Sequence, residues 1–545
     1  MTINSYGRST LETPAFHVTF APLLPVMRPI LGGLFCVRSR MSQPLQIRVL
    51  PKFIPLVPGL SSLCFVTYGQ VLLALPLLLL VLAGYTKSFL DPDLDQSGSI
   101  AGLALMAAFL TANKSNSVLS FVLGIPFERL IPYHNLASLA AILLSAFHTY
   151  VAFVYGDSSG DGKGSRERRL SEDSAYALFG PNPDFVKFLF DGGTNFSGTM
   201  IIVFMLVLVG TSFFSVFRRC FFEFWLFTHV ASAIGVVAFC LAHSVGTVFI
   251  VGLWWAADVF FRYVIMSLCV YPKKATLELV LEDVVEVRFK ASGFKYNAGQ
   301  FVQVCFPSIA TFQFHPVTIS SAPHEPYVTL HIRALGGWSK KLASLAATCH
   351  ETTMMLEGPY GSLAMDLNND KRYQMVLCVG GGIGVTPCQS LARHILHGYH
   401  KGRTLQKLQF VWAVQSLEMA LAIPPPPVID CATVVGDSEV FTNAEENSEV
   451  LSTHVYVTKP EAFHDETLAG CHTPFTLFEG RPDFDSIFRG LRREAKENGL
   501  TNVAVIVCGP KKMTHKLRAC CREYSDLEVT CNGVKFDLHE ELFDF

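Results

Sequence analysis

Two apolar stretches, each carrying two histidines, constrain this chain more than any other feature. His134 and His148 lie in the first stretch, and His229 and His243 lie in the second. At about 100° and about 1.5 Å per residue, fourteen residues of helix return to within roughly 40° of the starting direction and climb about 21 Å. Each stretch therefore predicts a helix with two imidazoles on one face, one near each edge of a hydrocarbon core about 30 Å thick.

Histidines inside membrane-spanning helices are costly and normally face a group that needs them. Each of the four could instead bond singly to a neighbouring carbonyl, but the repeated spacing favours a shared purpose. Two helices with histidines at matching levels can hold two stacked haems through bis-imidazole ligation. The sequence therefore predicts two b-type haems with these four side chains as the metal ligands.

The composition agrees with a large membrane-embedded part. Half of the residues are hydrophobic and only 16% are charged, whereas soluble domains have about 25% charged residues. We predict six membrane spans from apolar length, at 61–85, 99–115, 132–155, 197–216, 224–243 and 246–268. Fifteen cysteines form no Cys-x-x-Cys pair, and the net charge of -2 gives no indication of a nucleic-acid partner.

Basic residues predict the orientation. Arg218 and Arg219 lie in the short connection between the fourth and fifth spans, on the same side as the basic segment 1–58, whereas the connection at 91–95 is acidic. The positive-inside rule therefore places both termini in the cytosol, and we expect no cleavable signal peptide. The third and fifth spans then run in the same direction. His134 and His229 then lie at the cytosolic level, and His148 and His243 lie at the outer level.

After the last span the pattern changes to alternating apolar and polar residues, as in a small antiparallel barrel. Residues 277–290 and 299–306 are predicted strands. Alternate hydroxyls, an arginine and a Gly-Gly turn into a helix suit a phosphorylated flat cofactor, although an ordinary polar strand explains the hydroxyls equally well. The candidate cofactor-binding residues are His315, Pro316, Val317, Thr318, Ser320, Ser321, His331, Arg333, Gly337, Trp338 and Ser339.

From about residue 372 the pattern is that of a strand, a glycine turn and a helix. The glycines allow a pyrophosphate to approach the backbone at the helix N-terminus, and further strands are predicted at 408–414, 453–457 and 503–507. Residues 422–452 are predicted to be a flexible insertion. Cys508 taken alone is more often a buried structural thiol. The candidate nucleotide-binding residues are Gly380, Gly381, Gly382, Gly384, Thr386, Cys508, Gly509 and Pro510.

In this order, over roughly 100–545, these motifs resemble those of the transmembrane ferric reductases and NADPH oxidases. The resemblance implies a cytosolic segment 1–58, a haem domain 59–270, an FAD-binding barrel 271–368 and an NADPH-binding α/β domain 369–545. It implies hydride transfer from NADPH to FAD, followed by single-electron transfer through the inner and outer haems to an acceptor outside. It also implies roles for Cys508 and the closing aromatic Phe545 at the hydride-transfer site, and for Arg481 beside the NADPH 2′-phosphate.

The chain departs from that family at two places. Superoxide-producing members have a further histidine one turn after the outer ligand, where this chain has Ala152, and the first span ends in Lys87 rather than arginine. Both differences favour a ferric chelate over oxygen as the acceptor. Gln415 stands where many relatives have an arginine near the 2′-phosphate, so NADH remains an alternative to NADPH.

We therefore expect a multi-pass ferric-chelate reductase in lipid, in the plasma membrane or alternatively an endosomal or vacuolar membrane. Cupric ion is a further candidate acceptor, and no partner subunit is identified. A superoxide-generating oxidase is the competing enzyme. A redox-sensing transporter or scaffold is the competing function of another class, and haem content separates it from both enzymes.

Overall fold

The computed structural model describes a helical part and a reductase-like part of the chain. It describes residues 93–114, 127–155, 183–190, 192–213, 221–270 and short helical pieces between 75 and 86. It also describes 272–541 apart from 311–312, 362, 364, 424, 427–449, 460–474 and 527–532. The chain divides into two compact units, one containing Tyr68–Ile265 and the other containing Met266–Phe545.

Apart from the short pieces between 75 and 86, six helices make up the described part of the first unit. They are α1 (Leu94–Ala112), α2 (Phe127–Tyr155), α3 (Pro183–Phe190), α4 (Gly192–Phe213), α5 (Phe222–Ala242) and α6 (Gly246–Phe260), and α6 continues as a π-helical stretch, Phe261–Val270. Within the described residues, four stretches are long and apolar enough to cross a membrane: Tyr133–Val154, Gly192–Ser212, Phe224–Ala242 and Gly246–Ile265. These correspond to the last four predicted spans.

The prediction of six spans is not met in the described residues. The predicted span at 99–115 is the helix α1, but its first turns carry Asp95, Gln96 and Ser97, and these polar residues keep it out of the group of four. The span predicted at 61–85 lies mostly outside the described residues. The connection with Arg218 and Arg219 lies outside them as well.

One apolar cluster joins α1, α2, α4, α5 and α6. Small residues dominate its buried centre, including Ala104 and Ala141, which are both fully buried. Two glycines allow neighbouring helices to approach closely: a Cβ on Gly235 would lie 2.8 Å from the Phe204 ring, and a Cβ on Gly252 would lie 2.5 Å from the Val237 side chain. Small residues at such crossings are the usual solution in helix packing within membranes.

The second unit begins with a six-stranded antiparallel barrel. Its strands are β1 (Pro272–Leu281), β2 (Val284–Lys290), β3 (Phe301–Cys305), β4 (His315–Thr318), β5 (Tyr327–Arg333) and β6 (Glu351–Tyr360), in the order β4-β3-β6-β1-β2-β5. A bridge between Ile319 and Leu330 joins the two ends of that order. The predicted strand 277–290 is two strands, because the chain turns between Leu281 and Val284 and pairs with itself. The helix α7 (Gly337–Ala346) follows β5.

A six-stranded parallel sheet completes the second unit. Its strands are β7 (Met375–Gly381), β8 (Lys407–Val414), β9 (Leu451–Val457), β10 (Thr476–Glu479), β11 (Asn502–Cys508) and β12 (Lys535–Glu541), in the order β10-β9-β8-β7-β11-β12. Its helices are α8 (Val385–His400), α9 (Leu417–Ala422), α10 (Phe484–Glu497) and α11 (Lys511–Tyr524). The strand order reverses direction between β7 and β11. In open α/β sheets, ligands bind outside the carboxyl ends of strands at such a switch point.

The expected fold, a membrane helical region followed by a barrel and an α/β domain, is therefore confirmed in outline. Apolar cores cover both faces of the parallel sheet: Phe410 and Trp412 are fully buried on one side, and Phe488 is fully buried on the other. Most of the predicted insertion 422–452 lies outside the described residues.

Candidate functional site

The four predicted haem ligands form two pairs. The ring centres of His134 and His229 are 6.5 Å apart, and those of His148 and His243 are 6.3 Å apart. A metal–imidazole bond is about 2.0–2.1 Å and the ring centre lies about 1.2 Å behind the bonded nitrogen, so two imidazoles on opposite sides of one metal have ring centres about 6.4 Å apart. Both separations therefore fit two imidazoles that bind one metal from opposite sides. Among the described residues, no group of three or more His, Cys, Asp or Glu side chains is arranged to hold a bare metal ion.

The Nδ1 atom of each histidine in the first pair has a hydrogen-bond partner. His134 Nδ1 lies 2.9 Å from the carbonyl oxygen of Ala108. His229 Nδ1 lies 3.2 Å from Ser212 Oγ, which also accepts a bond from Trp225 Nε1 at 3.1 Å. An imidazole that donates from Nδ1 keeps the lone pair of Nε2 for a metal, which is the usual arrangement of a metal-bound histidine.

The second pair is held in the same manner. His148 Nδ1 lies 2.9 Å from Ser97 Oγ. His243 Nδ1 lies 3.1 Å from Ser197 Oγ and 3.0 Å from the carbonyl oxygen of Thr194. All four histidines thus have Nδ1 engaged, and the chemistry of the donor set fits two haems with two axial imidazoles each.

Two candidate flavin-binding residues leave buried polar atoms without a protein partner. The rings of His315 and Trp338 have centres 4.0 Å apart. Among the residues that the structure describes, neither His315 Nε2 nor Trp338 Nε1 has a hydrogen-bond partner. Burial lowers the pKa of His315 to about 4, so the imidazole is neutral near pH 7. Buried polar atoms are normally satisfied, and a bound cofactor would supply partners here. These residues fit the flavin that the sequence predicts.

Arg333 and the start of α7 lie where β5 ends. Arg333 Nε donates to Asp283 Oδ2 at 2.7 Å, and this pair is partly exposed. Ser339 Oγ accepts from the Gly336 backbone N–H at 3.0 Å and donates to the Gly336 carbonyl at 3.1 Å, so the serine caps its own helix. Gly337 opens α7, and the N–H groups of a helix N-terminus attract phosphate.

Other candidate flavin residues use their polar groups within the barrel. The His331 ring lies 2.8 Å from Ser320 Oγ and 3.2 Å from Glu286 Oε2. Ser321 Oγ accepts from the Thr329 backbone N–H at 2.9 Å and pairs with Tyr296. Their part in cofactor binding stays a prediction. Three further candidates lie in β4, where Val317 and Thr318 are buried and Pro316 is half-buried.

The predicted nucleotide motifs meet at the switch point. Cys508, at the end of β11, pairs with Gly380, at the end of β7. A Cβ on Gly381 would lie 2.6 Å from Pro510 Cδ, and a Cβ on Gly384 would lie 2.6 Å from the Cys508 carbonyl oxygen. The two turns therefore pack closely against each other, beside the N-terminus of α8, through backbone that only glycine permits.

Further contacts fix this edge of the sheet. Trp412 Nε1 donates to the Gly382 carbonyl at 2.9 Å, and Gly382 has a φ of 56°. Thr386 Oγ1 donates to the Ile383 carbonyl at 3.2 Å. Burial raises the pKa of Cys508 well above its ordinary value, so its thiol stays protonated. Gly509 follows directly and packs against Gly381.

The remaining candidates are Arg481, Gln415 and Phe545. Arg481 is exposed and follows β10, three strands from β7, and Gln415 follows β8 directly. Both are at the carboxyl side of the sheet, as a nucleotide extended along that edge would require. Phe545 lies outside the described residues.

The sequence reasoning missed the serines and glycines that contact the second histidine pair. Ser97-Gly98 and Ser197-Gly198 are the same dipeptide, each near the start of the helix that carries it. Polar serines before an apolar run normally indicate a helix N-terminus, so neither serine by itself indicates a partner for a histidine. The sequence feature that could have indicated them is the repetition of the dipeptide near the start of α1 and again near the start of α4.

Comparison with protein families matches three consecutive parts of the chain. Residues 97–240 match the ferric reductase-like transmembrane component, 270–364 match an FAD-binding domain, and 373–424 with 435–522 match the ferric reductase NAD-binding domain. FAD- and NAD(P)H-binding domains are therefore both present, in the predicted order behind the membrane helices.

Curated relatives are NADPH oxidases and dual oxidases. The chain is 27% identical over 495 residues to the heavy chain of a superoxide-generating NADPH oxidase of Dictyostelium discoideum, covering 81% of this chain and 88% of that one. It is 23% identical over 485 residues to human dual oxidase 2, but this alignment covers only 29% of the dual oxidase. A solved ferredoxin NADP⁺ reductase from Neisseria gonorrhoeae aligns with 50% of the chain at 10% identity and a TM-score of 0.35.

Membrane-spanning helices joined to a flavin- and pyridine-nucleotide-binding module define a class, the transmembrane flavin-dependent oxidoreductases. Within that class, the three family matches and the oxidase relatives make this chain a member of the transmembrane ferric reductase and NADPH oxidase superfamily.

The glycine turn generates a first prediction. Replacing Gly384 with alanine places a Cβ 2.6 Å from the Cys508 carbonyl oxygen, which must push the two turns apart. We expect the rate of flavin reduction by NADPH to fall at least tenfold, measured by stopped-flow absorbance on protein loaded with FAD. Gly490→Ala is the control, because its Cβ would meet nothing within 4 Å; equal rates for both variants would contradict the assignment.

A second prediction concerns Arg333. If its guanidinium bonds the FAD diphosphate, Arg333→Ala should weaken FAD binding at least tenfold, since hydrogen bonds to charged groups contribute about 1.5–3 kcal/mol. Asp283→Asn separates this role from the ion pair, because it removes the charged partner of Arg333 and leaves the guanidinium. Fluorescence titration of FAD should show the loss for Arg333→Ala alone. Equal losses in both variants would assign Arg333 a purely structural role.

Proposed function

We propose that this chain passes electrons from a reduced pyridine nucleotide through FAD and two stacked b-type haems to a ferric chelate on the outer face of a membrane. The two histidine pairs, with ring separations of 6.5 Å and 6.3 Å, support this proposal most strongly. When bound, FAD accepts a hydride from the nucleotide and the haems carry single electrons. The protein supplies position, exclusion of water and tuning.

At the switch point, the glycine turn and the N-terminus of α8 would bind the nucleotide pyrophosphate. The protonated thiol of Cys508, beside Gly384, would adjoin the nicotinamide without adding a negative charge. Arg481 would bind the 2′-phosphate of NADPH through charge-assisted hydrogen bonds. With Gln415 nearby instead of a second cation, NADH remains an alternative donor.

In the barrel, His315 and Trp338 would contact the flavin through the polar atoms that have no protein partner. Arg333 and the N-terminus of α7 would hold its diphosphate. Since Ser339 caps the same helix, it would orient those N–H groups rather than bind phosphate itself. Phe545 would cover the flavin ring, as the closing aromatic does in the family that the sequence resembles. It would exclude water until the nicotinamide docks.

The basic residues of the sequence support an orientation with both termini in the cytosol. His134 and His229 would then form the inner pair, and His148 and His243 would form the outer pair. Electrons would enter at the inner level and leave at the outer level. The plasma membrane is the proposed location.

Residues around the outer pair favour a ferric chelate as the acceptor. Oxygen reduction is promoted by a donor and a positive charge that stabilise the developing superoxide anion, but Ala152 occupies the position one turn after His148. The helix α1, which bonds His148 through Ser97, begins with the carboxylates Asp93 and Asp95. Lys187 is on α3, which packs against Phe153 through Phe185 at 4.9 Å, but its own side chain is exposed.

Superoxide production is the second candidate function, and the names of the curated relatives favour it. The Dictyostelium relative is a superoxide-generating oxidase, and it is aligned over most of both chains. Either acceptor uses the same route from the nucleotide to the outer pair, so only the last step distinguishes them.

The pairing of the histidines is tested by haem content. His148→Ala and His243→Ala should each leave one haem per chain instead of two, measured by pyridine haemochromogen absorbance against protein concentration. The double variant should also retain one, because both side chains bind the same haem. A double variant without haem, or a single variant with two, would refute the pairing. Absence of haem from the unaltered protein would favour a transporter or scaffold.

The acceptor is tested by pre-reducing the protein and following haem reoxidation by stopped flow. We expect faster reoxidation by anaerobic ferric citrate than by air-saturated buffer, because Ala152 provides no donor for superoxide one turn after His148. Ala152→His should accelerate the reaction with oxygen, and Ala152→Val serves as the control for size. Faster reoxidation by air, with stoichiometric superoxide, would replace the reductase with the oxidase.

A further inference from the structure

We propose that Ser97 and Ser197 are paired positioning residues that orient the two outer imidazoles and lower the reduction potential of the haem between them. This inference rests on the proposed function, because it requires a haem at His148 and His243. The two serines lie on different helices, α1 and α4, and each contacts the outer histidine of the helix packed against its own.

The hydrogen-bond directions follow from the partners of each hydroxyl. Ser97 Oγ donates its one proton to the Leu94 carbonyl at 2.9 Å, and Ser197 Oγ donates to the Thr194 carbonyl at 2.8 Å. A hydroxyl whose proton is used in this way can only accept from the imidazole. His148 and His243 must therefore donate from Nδ1, which fixes the tautomer that presents the Nε2 lone pair to iron.

A glycine follows each serine and lies against the same ring. A Cβ on Gly98 would lie 3.0 Å from His148 Cε1, and a Cβ on Gly198 would lie 2.9 Å from His243 Cε1. Each Ser-Gly dipeptide therefore combines an acceptor for Nδ1 with a flat backbone surface for the ring. Both features limit rotation of the imidazole.

The inner pair lacks this repeated device. His134 bonds the backbone carbonyl of Ala108, and His229 bonds Ser212, which also accepts from Trp225. Neither has a Ser-Gly dipeptide beside it among the described residues. The repeated Ser-Gly dipeptide is thus specific, among the described residues, to the level that we assign to the outer face, and there His243 Nδ1 also has the Thr194 carbonyl as a second acceptor at 3.0 Å.

The electronic consequence has a definite sign. Donation from Nδ1–H increases the basicity of Nε2, and a more basic ligand stabilises ferric iron relative to ferrous iron. Because His148 and His243 would hold the same haem, the two effects would act on the same redox couple. Together they would make that haem a stronger reductant, as reduction of an external acceptor requires.

The test uses full-length protein containing haem and FAD, with Ser97→Ala, Ser197→Ala and the double substitution. Redox titration of the haem absorbance bands gives both midpoint potentials, and the His148→Ala protein, which keeps only the inner haem, identifies the outer one. We expect each variant to retain two haems while the outer potential becomes more positive, most of all in the double variant. A tenfold change in the ferric-to-ferrous ratio corresponds to about 59 mV for a one-electron couple.

Thr149→Val is the matched control. Thr149 is next to His148 and its hydroxyl donates to the Ser145 carbonyl, so the substitution removes a helix-bonded hydroxyl without removing an acceptor for Nδ1. It should leave both potentials unchanged. Ser97→Thr, which keeps the hydroxyl, should keep the outer potential close to that of the unaltered protein.

Gly98→Ala provides an independent arm, since its Cβ must displace the His148 ring. The electron paramagnetic resonance signal of the outer low-spin ferric haem should change, while that of the inner haem should not. Two haems with an unchanged outer potential in the double serine variant would overturn the inference and leave the proposed function intact. An unaltered protein without two haems would refute the proposed function, and this inference with it.

Discussion

The separation of the two imidazoles in each pair is the constraint on which the helical unit depends. Ring centres 6.5 Å and 6.3 Å apart match one metal with an imidazole on either side. To keep both separations, α2 and α5 must run side by side at a fixed distance over about 21 Å of helix. Small residues make this possible, because fully buried Ala104 and Ala141 and the close contact at Gly235 let the surrounding helices approach. The apolar cluster is thus a frame that sets the distance between ligands.

Close packing through small residues also shapes the reductase part of the chain, where the backbone rather than side chains defines the site. The turns after β7 and β11 touch through Gly381, Gly384 and Pro510, and the Trp412 indole holds the first turn by its carbonyl. A crevice lined by main chain can bring N–H groups to a pyrophosphate at close range. The close packing of the two turns also buries Cys508, and this burial keeps its thiol protonated.

Patterns with a fixed period could be predicted from the sequence, and contacts between distant segments could not. The fourteen-residue histidine spacing and the glycine turn at 380–384 each report local geometry, and the structure has helices and a strand–turn–helix unit at those places. The turn between β1 and β2 was missed because Glu282 and Asp283 interrupt an alternating pattern without glycine or proline. The span predicted at 99–115 contains only the apolar part of α1, and its pattern gives no sign that the helix begins earlier, at Leu94, with polar residues in its first turns. The partners of the histidines, Ser97 and Ser197, come from separate helices, so no local pattern points to them.

The serine partners decide what the spacing of the histidines leaves open, which is the nitrogen that each imidazole presents to a metal. A histidine spacing specifies where a ligand can be, but a neutral imidazole can present either nitrogen, and only the partner of Nδ1 decides which. In this chain Nδ1 has a partner at all four histidines: a backbone carbonyl at His134, a serine hydroxyl at His148 and at His229, and both a serine hydroxyl and the Thr194 carbonyl at His243. A carbonyl cannot be altered by substitution, whereas a hydroxyl can be lost in one step. The basicity of the outer ligands therefore depends in part on side chains that evolution can change while the helices and the ligand spacing stay the same. The potential of the last carrier can thus be matched to a ferric chelate or to oxygen without a change of fold.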